Sequence, residues 1–405
     1  MDLIKLAIVF ATILVLIHKK LSLSVAVTVA GAEICLLYQL SLNSIGHTLL
    51  NGILGWDTIQ LLLVLYLITF LQRMLECRHC LSNAKEALDG LFNSRRMDAS
   101  LAPTLLGMLP AVGTVLICGD IVRDSSDGYL SPEEQACVTS YYRHVSELFF
   151  PTYTSILIAI NLSEGRVSVG AFTLAMLPMM AALMAIGWLI YLRKLPKDAG
   201  FTPSHGKGWY AGLLIRSLWT IVFTVVLIVV FNVPVYLAVL MCILLNIVVE
   251  RFSFSELLPF FKSAFERRLI ISTLVIMIFK ELLSATGVIS QFPHYFDMLP
   301  IPAFLVFAII FFFGSVVSGS QAIIILCMPM AMATVGTASA LPLFILLMCM
   351  TYAAMQISPI HVCLAVCAED YHVSLGTLVW KTLPLVALFC GASFVYYAIL
   401  LLLHI

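Results

Sequence analysis

The stretch FFFGSVVSGSQAIIILCMP, residues 311–329, decides how this chain is read. It is apolar at both ends, and its middle reads Gly314-Ser315-Val316-Val317-Ser318-Gly319-Ser320-Gln321. Glycine and serine loosen a helix, and hydrocarbon cannot hydrate loosened backbone. Such a knot makes sense inside a membrane only where protein buries it or water reaches it. Composition places it there. The 405 residues are 61% hydrophobic and 11% charged, with a mean hydropathy of +1.05, whereas a soluble domain carries about 25% charged residues. Apolar runs long enough to cross about 30 Å of hydrocarbon as a helix recur from end to end. The chain therefore reads as an all-α polytopic membrane protein. It lacks the alternating ten-residue segments of an outer-membrane barrel.

The first apolar run, residues 3–17, has neither a basic n-region nor a small-residue cleavage site, so it reads as a span and not as a leader. The basic residues are scattered, which argues against a nucleic-acid partner. Most of the eleven cysteines lie in apolar runs, where a thiol behaves as a small hydrophobe. Cys77-Arg78-His79-Cys80 has metal-like spacing, but no second pair completes four ligands. No metal and no organic cofactor is expected.

The spacing predicts about ten spans, at 3–18, 21–41, 57–76, 144–163, 167–192, 208–231, 233–250, 268–287, 341–366 and 374–404. Segments 99–120 and 301–337 are interrupted by Gly, Pro and Ser and read as re-entrant hairpins. Segments 80–93 and 253–266 are too charged to span and suit helices lying along the interface. Lys19/Lys20, the 73–96 cluster, Arg123/Arg143, Arg193/Lys194/Lys197/Lys207 and Arg251/Lys262/Arg267/Arg268 then fall on one side, which should be the cytoplasm. Both termini lie on the other.

An internal repeat follows. Val167-Ser-Val-Gly-Ala-Phe172 matches Val373-Ser-Leu-Gly-Thr-Leu378, and Phe149-Phe-Pro151-Thr-Tyr153 matches Ile357-Ser-Pro359-Ile-His361. Gly113-Thr114 pairs with Gly319-Ser320, and Leu65–Phe70 with Leu274–Phe279, in the same order at one nearly constant offset. Halves 1–200 and 201–405 each hold three spans, a hairpin and two spans. Three is odd, so the second half enters the membrane inverted, a plan of secondary transporters.

The hairpin tips and the broken spans supply the candidate site. Pro110 and Gly113-Thr114 form one tip; Ser318-Gly319-Ser320-Gln321 form the other. Pro151 and Pro359 each remove an N–H and free a carbonyl one turn back, and broken helices offer N–H donors to anions and carbonyls to cations. Thr152, Tyr153, Ser358 and His361 flank these breaks. The plainer alternative is two proline kinks with incidental polar neighbours. Glu147, one turn before Pro151, either carries the coupling proton or cation together with His144, or pairs with Arg143 or His144. His361 either donates to a carboxylate and titrates during coupling, or is satisfied by a neighbour. Lys280-Glu281 point to different sides of their helix and read as structural, with partners elsewhere. Glu369-Asp370 reads as solvated. Glu33 is isolated, and the sequence assigns it no role.

The run Pro103-Thr-Leu-Leu-Gly-Met-Leu-Pro110-Ala-Val-Gly113, with Arg143-His144-Val-Ser-Glu147-Leu-Phe-Phe-Pro151-Thr-Tyr153, resembles an uncharacterised prokaryotic membrane family of the ion-transporter superfamily. Ile278-Phe-Lys280-Glu281 and Ser358-Pro359-Ile-His361-Val-Cys-Leu364 carry the same resemblance. That superfamily includes divalent-anion/sodium symporters and citrate and gluconate permeases. The resemblance implies two inverted repeats, a homodimer in the inner membrane, and an elevator motion of the hairpin domain. Divalent-anion symporters carry Ser-Asn-Thr at each tip; both tips here lack asparagine. The expected function is a secondary active transporter for a small anionic organic solute, coupled to H+ or Na+. A channel or passive facilitator on the same fold, or a carrier of an inorganic ion, is the alternative. No ATP-binding motif is present. Ser358 and His361 lack the third orienting group of a catalytic dyad, so no enzyme is expected.

Overall fold

Serine marks where many of the helices begin. Ser22, Ser41, Ser131, Ser168 and Ser374 each accept a hydrogen bond from the backbone N–H three residues on, and Ser131 and Ser253 also close capping boxes with Glu134 and Glu256. Each cap satisfies a donor that the first turn leaves unpaired. The computed structural model describes residues 2–19, 21–108, 114–197, 204–289, 300–335 and 339–403, and all regular structure among them is helical.

The first part of the chain forms α1 (Asp2–His18), α2 (Leu23–Leu37), α3 (Leu42–Leu54), α4 (Trp56–Cys77) and α5 (Cys80–Phe92). After these come the short α6 (Arg95–Asp98) and α7 (Leu101–Leu106), then α8 (Thr114–Ser126), α9 (Pro132–His144), α10 (Thr154–Leu162) and α11 (Val169–Ile190). The second part forms α12 (Lys207–Val229), α13 (Val235–Val249), α14 (Phe254–Ser263), α15 (Arg267–Ala285), α16 (Ala303–Ser318), α17 (Ser320–Thr334), α18 (Leu341–Met355), α19 (Val362–Asp370) and α20 (Leu375–Leu402). Among the described residues, four stretches are long and apolar enough to cross a membrane, Leu42–Cys77, Val169–Ile190, Lys207–Val229 and Leu375–Leu402; shorter apolar helices accompany them.

The helices pack in two groups. In one, α15 lies against α2 and α3, α4 against α13 and α14, and α5 against α12. Gly52 brings α3 so near α15 that a Cβ there would lie 2.8 Å from Ile278 Cα. Arg78, at the end of α4, ties this group on one side: it donates to Glu256 at 2.9 Å and to the Glu250 carbonyl at 3.1 Å, and lies over Phe252. In the other group, α16 packs on α17 and α18, α18 on α20, α20 on α9 and α11, and α8 on α9 and α19.

The second hairpin is a helix-break-helix. α16 stops at Ser318, Gly319 reverses the chain at φ 86° and ψ 151°, and α17 returns along α16. That backbone region is open almost only to glycine. The tip of the first hairpin, with Pro110 and Gly113, lies outside the described residues.

Several expectations change. The span predicted at 144–163 is two half-helices: α9 begins at Pro132, a 3-10 turn covers Val145–Leu148, and α10 starts after Pro151. Arg143 is accordingly not a loop charge but is buried, 2% exposed, beside the break. α3 has no counterpart among the predicted spans. The span at 341–366 is likewise divided, into α18 and α19, with Pro359 between them. Asp370 is not merely solvated: it holds Arg123 of α8 at 2.8 Å. Lys280 is buried and lies 3.9 Å from Asp57.

Candidate functional site

The two breaks and the Gly319 tip meet around one cavity of about 450 Å3. Arg143, Glu147, Tyr153, Thr154 and Ser155 line it from the first broken helix; Ser318, Gly319, Ser320 and Gln321 from the hairpin tip; and Met355, His361 and Cys363 from the second broken helix. Ile17, Leu21 and Leu23, around the α1–α2 connection, complete the wall. A second cavity of about 280 Å3, lined by Asp57, Asn161 and Asn232 among others, contains none of the sequence-predicted site residues.

Arg143 is the organising charge. One Nη donates to Glu147 in a buried ion pair, and Nε donates to Thr114 Oγ1 at 3.4 Å. The start of the α8 arm is thereby fixed to the end of α9. Gly107, at the end of α7, has its backbone against the same turn: a Cβ there would collide with the Arg143 carbonyl. The Tyr153 hydroxyl donates to the Gly107 carbonyl. The first hairpin and the first broken helix are locked together by backbone contact as well as by charge.

The two histidines meet. His144 is fully buried, and its Nδ1 donates to the Ser140 carbonyl at 2.5 Å. A carbonyl only accepts, so His144 Nε2 carries the lone pair. His361 Nε2 lies 2.9 Å from it and donates. Glu147 and His361 both have the neighbours that the sequence offered as alternatives to a coupling role: Glu147 pairs with Arg143, with His144 Nε2 3.9 Å away, and His361 bonds His144.

Other predicted residues go elsewhere. Ser358 is buried and donates to the Val316 carbonyl of α16 at 2.8 Å, so its hydroxyl holds the second hairpin to the second break and makes no dyad with His361. Ser318 donates back to Gly314 at 2.7 Å. Thr152 lines a separate small void with Met108 and Phe150. Pro151 is buried within its break and Pro359 is exposed at the edge of its own. Gln356 is fully buried with both amide atoms lacking a hydrogen-bond partner, and the Tyr352 hydroxyl and Ser315 Oγ are in the same condition. Such orphans on the elements around the cavity call for an explanation.

Sequence reasoning missed Thr154, Ser155 and Cys363. The first two open α10, where a half-helix presents its N–H groups. Their signal was present in their place just after Pro151-Thr-Tyr. Cys363 was passed over as one more apolar-run cysteine.

A family profile described as "Protein of unknown function (DUF401)" matches residues 3–402. A search of curated proteins finds no match. Among solved structures, the chain is similar to the YdaH transporter of Alcanivorax borkumensis, with a TM-score of 0.49, 13% identity and 87% of each chain covered. At that distance nothing of that protein's activity transfers to this chain.

Proposed function

The chain belongs to the DUF401 family of proteins of unknown function, and from that premise we propose that it is a secondary active transporter of a small organic anion. The observation that carries the reading is the cavity itself. Three interrupted elements converge on it, and interrupted helices at membrane depth are costly unless they hold something. Arg143 gives the anion preference a physical basis that the tips lack. Its guanidinium has five donors, and a solute carboxylate can share it with Glu147. The N–H groups opening α10, beside Thr154 and Ser155, and the Ser320 and Gln321 side chains complete an anion-binding wall.

On this reading the two halves are inverted repeats. The hairpins and broken helices move as one body against the group around α4 and α15, which forms the homodimer in a prokaryotic inner membrane. The order of helices in the two halves and the family resemblance of the motifs support it. A sodium or proton gradient drives the cycle.

The test is thermal unfolding of the purified protein against a panel of small organic anions, with and without sodium, at two pH values. A ligand at a hundred times its Kd stabilises by about 2.7 kcal/mol. Hits are then followed in proteoliposomes under an imposed gradient. Accumulation beyond equilibrium is expected, and the gradient that produces it names the coupling ion. Equilibration alone, whatever the gradient, would replace the transporter with a passive facilitator. No stabilisation by any organic anion in folded protein would overturn the substrate class.

A further inference from the structure

We propose that His144, His361 and Cys363 form a binding site for a zinc-class transition-metal ion that opens onto the cavity. One ligand atom from each lies within 4.8 Å of the others, and the three come from the two broken helices, far apart in sequence. His144 closes α9, and His361 and Cys363 open α19. Two imidazoles and a thiolate with a fourth position open are the donor set of zinc and its borderline neighbours, not of magnesium or calcium.

The surroundings are those of a metal site. The His144 Nδ1–H donates to the Ser140 carbonyl, the outer contact that fixes a ligating histidine and turns its Nε2 lone pair outward. That lone pair now accepts from His361 at 2.9 Å. Two nitrogens on a tetrahedral ion, each about 2.05 Å from it, stand about 3.3 Å apart, so the rings need to part by only about 0.4 Å. On binding, His361 shifts its hydrogen from Nε2 to Nδ1 and the Cys363 thiol releases its proton to water. The Arg143 charge does not bar the ion, because Glu147 neutralises it in the ion pair. By engaging Glu147, Arg143 also keeps that carboxylate from closing the fourth position, which faces the cavity. The ion would clasp the two breaks to one another.

The inference does not rest on transport, and its test reads metal directly. Purified full-length protein in detergent is titrated with Co(II), whose thiolate charge-transfer band and intense tetrahedral d–d bands report the donor set. One Co(II) per chain is expected, displaced by Zn(II). Cys77→Ser/Cys80→Ser, which removes the other paired cysteines, should leave the spectrum unchanged. Cys363→Ser should abolish the charge-transfer band, and His361→Gln should weaken binding at least tenfold. X-ray absorption of the zinc-loaded unmodified protein, which needs no variant to fold, should show one sulfur and two imidazoles. No tetrahedral spectrum in folded protein, or one that survives Cys363→Ser and vanishes in Cys77→Ser/Cys80→Ser, would overturn the assignment. Failure here leaves the anion reading standing, and failure of the anion panel leaves this one standing.

Discussion

The Arg143–Glu147 pair makes a quantitative prediction. The side chains are 3% and 14% exposed, so each charge relies on the other in place of water. Removing one member of a buried pair strands the other and costs about 3–5 kcal/mol. Arg143→Met and Glu147→Gln should therefore each lose about that much stability. The double variant strands nothing, so it should lose far less than either single variant and lie close to the parent, in place of the ~6–10 kcal/mol that additivity would give. Denaturant unfolding of the four proteins in one detergent measures the cycle. The single variants should also differ in kind. Glu147→Gln leaves a guanidinium facing the cavity, so acetate at constant ionic strength should restore part of its loss. Arg143→Met has no cation left to bind, and acetate should do nothing for it. An additive double variant, or equal rescue of both singles, would refute the idea that the pair is coupled and that Arg143 is the anion-binding group.

Three further outcomes follow from the same geometry. Thr114→Ala and Ser320→Ala should each weaken solute binding by about 1 kcal/mol, roughly fivefold, while the protein stays folded; unchanged binding in both would remove the hairpins from the site. Gly319 has positive φ, yet a Cβ there would meet only Ile360 Cδ1 at 3.6 Å; Gly319→Ala and Gly319→Val should thus lose a similar ~1–3 kcal/mol from backbone strain, and a far larger loss for Val would mean crowding instead. Asp98 sits in α6, outside the spans, where burial and then Asp89 push its carboxyl from 3.8 up to about 7. The folded protein holds a proton there that the unfolded chain has released, so the stabilisation is full below pH 3.8 and is lost as pH rises through about 7. The change is at most about 4 kcal/mol, and Asp98→Asn should flatten that part of the stability–pH profile in denaturant titrations; an unchanged profile would refute it.

What the sequence disclosed, and what it hid, follows from what hydropathy measures. Helices that face lipid were legible almost to the residue: α11, α12, α13 and α15 begin and end within about two residues of the predicted spans, the usual scatter of helix ends. The interruption at Gly319 was legible because glycine and serine in an apolar run have few other uses. α9 was invisible. Its sequence PEEQACVTSYYRH is polar, yet every residue from Gln135 to His144 is buried, by α7, α8, α11 and α20. Hydropathy reports contact with hydrocarbon, and this helix has protein on all sides. α3 was missed for a different reason: Asn43, His47 and Asn51, four residues apart, line one exposed stripe and lower the mean hydropathy of a helix that packs through Thr48 and Gly52. The joining of His144 to His361 could not be read at all, because it depends on how two distant breaks pack.

The polarity of α9 bears on how the protein is made. A segment carrying two glutamates, an arginine and a histidine gains nothing by leaving the translocon for lipid alone. It has to wait until α10 and α11 have emerged, or be held by α7 and α8, before it enters the bilayer. The burial of α9 predicts that the chain inserts in blocks and not one helix at a time. A reporter fused between α9 and α10 would sample a nascent chain whose last helix has no home. Its readout would describe that stalled state, and mapping of which side each loop occupies should use insertions into the full-length protein.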